Sequence, residues 1–133
     1  MKGTLLVKNV KHLVTCDGDD RLPDGAGVLI RDGVIGGIGQ ETAEDVIDAS
    51  NMVIYPGLIN THHHLYQTFS RNLPQVQNME LFPWLKTLYE IWKHVDEDVV
   101  YYSSLTGMGE LLKTGCTTCL DHHYVFPKDT GMS

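Results

Sequence analysis

His62 and His64, one residue apart near the end of the run Val53-Ile54-Tyr55-Pro56-Gly57-Leu58-Ile59-Asn60-Thr61-His62-His63-His64-Leu65, are the residues whose types and spacing carry the clearest chemistry. In a β-strand, positions i and i+2 share a face, so both imidazoles can reach one ion while His63 turns away. Neutral imidazole nitrogen is a favoured ligand for zinc and similar divalent metals. An ion held there brings the pKa of a bound water down toward about 7, which makes hydrolysis accessible at neutral pH. The competing reading is a polar loop holding three unrelated histidines. Position favours the metal, because the pair sits where a hydrophobic strand stops, and parallel sheets and barrels present their strand ends to ligands.

Other residues fall into place around this pair. His122 and His123 follow a second β-prone run, Cys116-Thr117-Thr118-Cys119-Leu120. A strand end there would direct one of them toward a ligand or the metal shell and the other outward. Asp121 either caps a loop or holds one of the two imidazoles. Trp84, nearest the start of an aromatic-rich helix, is a candidate substrate contact, whereas the rest of that aromatic face reads as packing. Arg71 either fixes a loop or meets an oxo group. Cys116 and Cys119 form a CxxC that, with His62 and His64, would make a Cys2His2 module without catalysis. Strand alternation instead sets the two thiols on opposite faces, as buried side chains.

The elements that must position these groups are legible in outline. Thr4 to Val7 and His12 to Thr15 are expected strands, and residues 16–20 a turn cluster. Val28 to Ile35 predicts a hairpin, with Asp32-Gly33 supplying the positive φ of a type I′ turn. Residues 48–51 turn the chain into the strand that ends at the histidines. Leu81, Phe82, Leu85, Leu88, Tyr89 and Trp92 recur at helical spacing, with the helix starting close to Pro83. A second helix is expected from an Asp96 N-cap, with Glu97 and Asp98 at its positive end and Gly115 just past its end. Strand, helical excursion, helix, strand is the opening of a β/α-repeating fold.

Composition narrows the partners. Ten basic residues against seventeen acidic give a net charge of −7, without a basic cluster, so nucleic acid and anionic membrane are poor partners and a small molecule fits better. Three cysteines make no disulfide framework, which points to a reducing cytoplasm. The first apolar run is broken at Lys8, too short for a signal sequence, and no stretch approaches the roughly 20 apolar residues of a membrane span.

The stretch Pro56 to His64 resembles the first barrel strand of the amidohydrolase superfamily, and the likeness continues through Leu65-Tyr66-Gln67-Thr68-Phe69-Ser70-Arg71, Leu81-Phe82-Pro83-Trp84-Leu85 and Thr114-Gly115-Cys116-Thr117-Thr118. It covers nearly the whole chain and is closest to the purine- and triazine-acting aminohydrolase branch, with Asn60 standing where many relatives have Asp. The resemblance implies an α/β fold: residues 1–53 as part of a small β-sandwich, and residues 54–133 as the first β/α units of a (β/α)8 barrel, a fold of roughly 250 residues. It implies one divalent metal, zinc ahead of iron or manganese, on His62 and His64, and a purine contact from Gln67, whose bland alternative is a solvated loop amide. It implies hydrolytic deamination of 8-oxoguanine or guanine, with a triazine or another N-heterocycle as the alternative, by an enzyme that can self-associate. The remaining ligands, a further His and an Asp, and the general acid/base would lie beyond residue 133. On that view the 133 residues alone are inactive, or a fragment unable to fold by itself.

Overall fold

The structure, a computed structural model, describes residues 2–18, 25–39 and 42–127. It divides into two compact units, Met1–Pro56 and Gly57–Ser133.

In the first unit, β1 (Thr4–Lys8) is the hub of a four-stranded sheet ordered β4-β3-β1-β5, with β3 at Val28–Arg31, β4 at Val34–Ile38 and β5 at Asp45–Asp48. β1 runs antiparallel to β3 and parallel to β5. The β3–β4 hairpin turns on Asp32 (φ 48°) and Gly33 (φ 82°), the two left-handed residues that a type I′ turn requires. A parallel pair, β2 (His12–Leu13) and β6 (Val53–Ile54), accompanies the sheet. Val10, Leu13, Val28 and Ala49 form the core of this unit.

Two expectations need correction, and one strand, β5, has no counterpart among the expected elements. The apolar run 53–65 is two strands rather than one: β6 pairs with β2, and the chain leaves the ladder at Tyr55-Pro56-Gly57 before β7 (Leu58–His63) begins. Pro56 has no N–H to give a ladder, so the run cannot continue through it. β2 stops at Leu13 instead of reaching Thr15. β5, Asp-Val-Ile-Asp, has only two apolar residues between carboxylates and gave no strand signal of its own; its pairing with β1 creates it. In the turn cluster 16–20, Cys16 and Gly18 have positive φ, while Asp19 and Asp20 lie outside the described residues, as do residues 128–133 of the final stretch.

The second unit is built on two parallel strands, β7 and β8 (Cys116–Asp121), joined by α1 (Leu81–Trp92) and α2 (Glu97–Lys113). Two short 3-10 segments, Leu65–Ser70 and Pro74–Val76, lead from β7 to α1. Pro83 is the third residue of α1, in the first turn, where a missing N–H costs the helix nothing. Tyr66, Val76, Leu88, Trp92 and Val95 make the buried core.

The end of α2 is set by Thr114 and by Gly115 in the left-handed region (φ 84°), whose N–H bonds to Leu112. At the start, the Asp96 carboxylate accepts the Val99 N–H at 2.8 Å, satisfying one of the free donors of the first turn. Asp96→Ala should therefore lower the unfolding free energy of this unit by about 1 kcal/mol. Urea denaturation reads that loss; an unchanged midpoint would remove the cap from the account. Among the described residues no helix is long and apolar enough to cross a membrane.

Candidate metal and substrate site

Parallel pairing brings the carboxyl ends of β7 and β8 to the same edge, and the histidines of both strands meet there. The ladder is irregular on the way: Asn60 pairs with Cys119 but His63 with Asp121, so β7 carries one extra residue between Asn60 and His63, a stretch that includes His62. Such a bulge re-aims side chains. The Asn60 side chain braces it by accepting the His62 N–H through Oδ1 at 2.9 Å. An aspartate oxygen would accept the same bond, which explains why Asn serves at this position.

His62 Nε2 and His64 Nε2 lie 3.2 Å apart. Two nitrogens bound to one tetrahedral zinc at about 2.0–2.1 Å are separated by about 3.3 Å, so the pair fits a shared ion. His64 Nδ1 is 2.7 Å from the backbone oxygen of His122. A carbonyl only accepts, so the proton sits on Nδ1 and the lone pair on Nε2, the tautomer a metal needs. The His122 N–H in turn bonds to the His63 oxygen at 2.8 Å, so the acceptor carbonyl belongs to the sheet.

His122 joins the group. Its ring stacks on His64 at 5.2 Å, and one nitrogen from each of His62, His64 and His122 falls within a 4.8 Å cluster. Among the described residues this is the only such gathering of His, Cys, Asp or Glu side chains. The sequence offered His122 as a substrate or shell contact and did not mark it as a third imidazole beside the pair; strand pairing, which no local pattern encodes, puts it there.

Cys116 and Cys119 do not join. The buried Cys116 thiol donates to the Thr118 oxygen at 3.2 Å, and neither thiol falls within the His62, His64 and His122 group that could share an ion. The Cys2His2 module is thereby set aside.

Gln67 lies in the 3-10 segment after His64 and donates through Nε2 to the hydroxyls of Tyr66 (3.1 Å) and Tyr124 (2.9 Å). Tyr124 stands edge-on to His64 at 5.4 Å and to His122 at 5.6 Å, so one ring separates the Gln67 amide from the imidazoles. Burial, reinforced by a hydrogen bond with Tyr124, pushes the Tyr66 phenol far above its ordinary pKa and keeps it protonated. Neither tyrosine was singled out from the sequence. Asp121 caps the loop as expected, its Oδ1 accepting the Leu65 N–H at 2.9 Å, while its Oδ2 lies 3.5 Å from His123 Nδ1.

His123 is turned to the other side, against Tyr66 and Phe126, while Trp84 packs edge-on against Trp92 in the core of the unit. Neither is brought to the imidazole group. Arg71 fixes a loop: its guanidinium makes a two-pronged contact with Glu110 of α2, at 2.6 and 2.9 Å. That contact holds the Glu110 carboxyl below its usual pKa. A carboxylate with a lowered folded-state pKa stabilises above its unfolded value of about 4.3, and the contribution fades as pH falls through the folded value. Wild type should thus exceed Glu110→Gln in stability near neutrality, with the gap closing on acidification. Thermal melts from pH 7 down to 3 check this, and a pH-independent gap would contradict it.

Residues 53–131 match the family model described as the Amidohydrolase family. The chain is 38% identical to hydroxydechloroatrazine ethylaminohydrolase of Pseudomonas sp. (strain ADP), over 96% of its own length and 30% of that protein's. It is 42% identical to 8-oxoguanine deaminase of Pseudomonas aeruginosa, over 91% of its length and 28% of the deaminase. Its structure is similar to that of atrazine chlorohydrolase from Arthrobacter aurescens TC1 complexed with zinc, with a TM-score of 0.82 and 27% identity over 90% of this chain and 28% of that one. The chain thus spans about 30% of the length of the curated relatives it matches. Sequence, mixed α/β architecture and the paired imidazoles agree: the chain belongs to the amidohydrolase family.

Proposed function

We propose that the protein, as a whole enzyme, is a metal-dependent aminohydrolase that converts the C–NH2 of an aminated purine, 8-oxoguanine ahead of guanine, into C=O, consuming water and releasing ammonia. The observation that carries this reading is the 3.2 Å spacing of the two Nε2 atoms, with the His64 tautomer set by the His122 carbonyl. The ion, zinc first and iron or manganese next, supplies Lewis acidity and an activated water when bound.

This chain's own residues then have distinct parts. His62 and His64 hold the ion, and the His122 carbonyl keeps the His64 proton on Nδ1. Gln67 meets the heterocycle, and the His122 ring flanks the same space. The protons passed to the departing amine come from an acid/base group outside these residues. The likeness to the P. aeruginosa deaminase supports a purine; the likeness to the Pseudomonas sp. ethylaminohydrolase keeps a triazine as the second reading. A small-molecule substrate, self-association of the whole enzyme and a cytoplasmic location complete the proposal; the three free thiols suit that compartment.

The test is ammonia release from 8-oxoguanine and guanine by zinc-loaded protein expressed from the complete reading frame that encodes this chain, alongside amine and chloride release from triazines. Turnover of the purines supports the first reading. Turnover of triazines alone replaces it with the second, and no turnover of either class refutes both.

A further inference from the structure

A glutamine amide carries two N–H donors and a carbonyl that accepts. In Gln67 both donors are committed, one to the Tyr66 hydroxyl at 3.1 Å and one to the Tyr124 hydroxyl at 2.9 Å. No donor among the described residues reaches Oε1. The residue is also held by its backbone. Its N–H bonds to the His64 oxygen at 3.0 Å, and its carbonyl accepts from Ser70 Oγ at 3.1 Å. Ser70 Oγ in turn takes the buried Trp92 indole N–H at 3.1 Å. Tyr66 has no freedom to follow a moving amide: it is fully buried, with its ring edge-on to Trp92, His123 and Tyr124 at 5.0 to 5.6 Å.

We propose that Tyr66 and Tyr124 lock Gln67 as a hydrogen-bond acceptor, so that the ligand rim meeting it must offer an N–H donor, the amino-bearing rim of an aminopurine or aminotriazine. The inference rests on the aminohydrolase reading for the class of ligand, but the lock itself depends only on the three side chains. An amide turned by half a rotation would have the opposite polarity. Both phenols would then donate to the carbonyl, Nε2 would be left for the ligand, and a rim of bare ring nitrogens would be preferred. The two polarities make opposite predictions.

The test uses protein from the complete reading frame and two probes, fluorescent 2-aminopurine and its parent purine, which lacks the amino group. Wild type should bind 2-aminopurine about tenfold more tightly than purine, the size expected of one well-placed hydrogen bond. Gln67→Glu should keep most of that preference, because a carboxylate presents only acceptors to the ligand rim. Gln67→Leu should erase it. Tyr66→Phe/Tyr124→Phe should reduce it to about threefold or less by freeing the amide. Tyr124→Phe alone, on a half-buried ring, gives the same direction of change in a fold less exposed to loss of packing. Equal binding of the two probes by wild type, a Gln67→Glu protein as indifferent as Gln67→Leu, or full preference in both tyrosine variants would each overturn the inference. Absence of purine and triazine turnover with the probe preference intact would refute the aminohydrolase reading and leave the lock standing.

Discussion

Replacing His64 with alanine is expected to lower zinc affinity by more than about 100-fold, and His62→Ala should do the same. The scale follows from what metal sites tolerate: removing a group that merely orients a ligand typically costs about 10–100-fold, so removing a ligand costs more. In the proposed site His64 would fill both roles, since its Nε2 faces His62 and its Nδ1 is tied to the β8 end through the His122 carbonyl. His122→Ala keeps that backbone carbonyl and should lose less than either ligand variant. His63 provides the internal control. Its ring faces away from the pair, toward Gly107 of α2, and its Nδ1 is buried with no hydrogen-bond partner among the described residues. His63→Ala should therefore leave zinc affinity within about tenfold while altering stability. Competition against a chromophoric chelator measures all four proteins on one scale. Wild-type affinity in His62→Ala, or a His63→Ala loss as deep as that of His64→Ala, would remove the pair from the metal.

The parts of this site that the sequence made legible are those encoded locally. His-x-His at a strand end, the Asp96 cap, the Asp32-Gly33 turn and the Gly115 stop each depend on a few consecutive residues, and each is present in the structure. What could not be read there is set by pairing over long separations. The third imidazole, His122, reaches the first two only because β8 lies parallel to β7, and the Gln67 amide meets Tyr124 only for the same reason. β5 is a strand because β1 offers it an edge. The break at Pro56 is the opposite case. The signal was in the sequence, a residue without an N–H inside an apolar run, but hydrophobic continuity across 53–65 outweighed it. Trp84, expected as a substrate contact from its place at a helix start, packs edge-on against Trp92 of the buried core.

Gly57→Ala should destabilise the second unit by about 3 kcal/mol, the upper part of the range for forcing a methyl into a filled space. A Cβ on Gly57 would lie 2.1 Å from Thr117 Oγ1, 2.4 Å from its Cγ2 and 2.8 Å from its Cβ. The crowding has a cause in the ladder. Leu58 pairs with Cys116 and Ile59 with Thr118, so Thr117 is an extra residue in β8, bulged toward the start of β7. Rotating the Thr117 side chain can move Oγ1 and Cγ2 but not Cβ, so the backbone of one strand must shift. A shift at this end would propagate along both strands toward Asn60, His62 and His64, so zinc affinity should fall together with stability. Two comparisons isolate the contact. Thr117→Ala in the Gly57→Ala background removes the two closest atoms and should recover part of the loss, a coupling of the kind that neighbouring residues show. Gly109→Ala, in the interior of α2 where an added Cβ meets nothing among the described residues within 4 Å, should instead stabilise by roughly 0.5–1 kcal/mol through helix propensity alone. If Gly57→Ala and Gly109→Ala behaved alike in urea denaturation, the bulge at Thr117 would not be what demands glycine at position 57. The histidine pair would then owe its placement to β7 by itself rather than to the β7–β8 ladder.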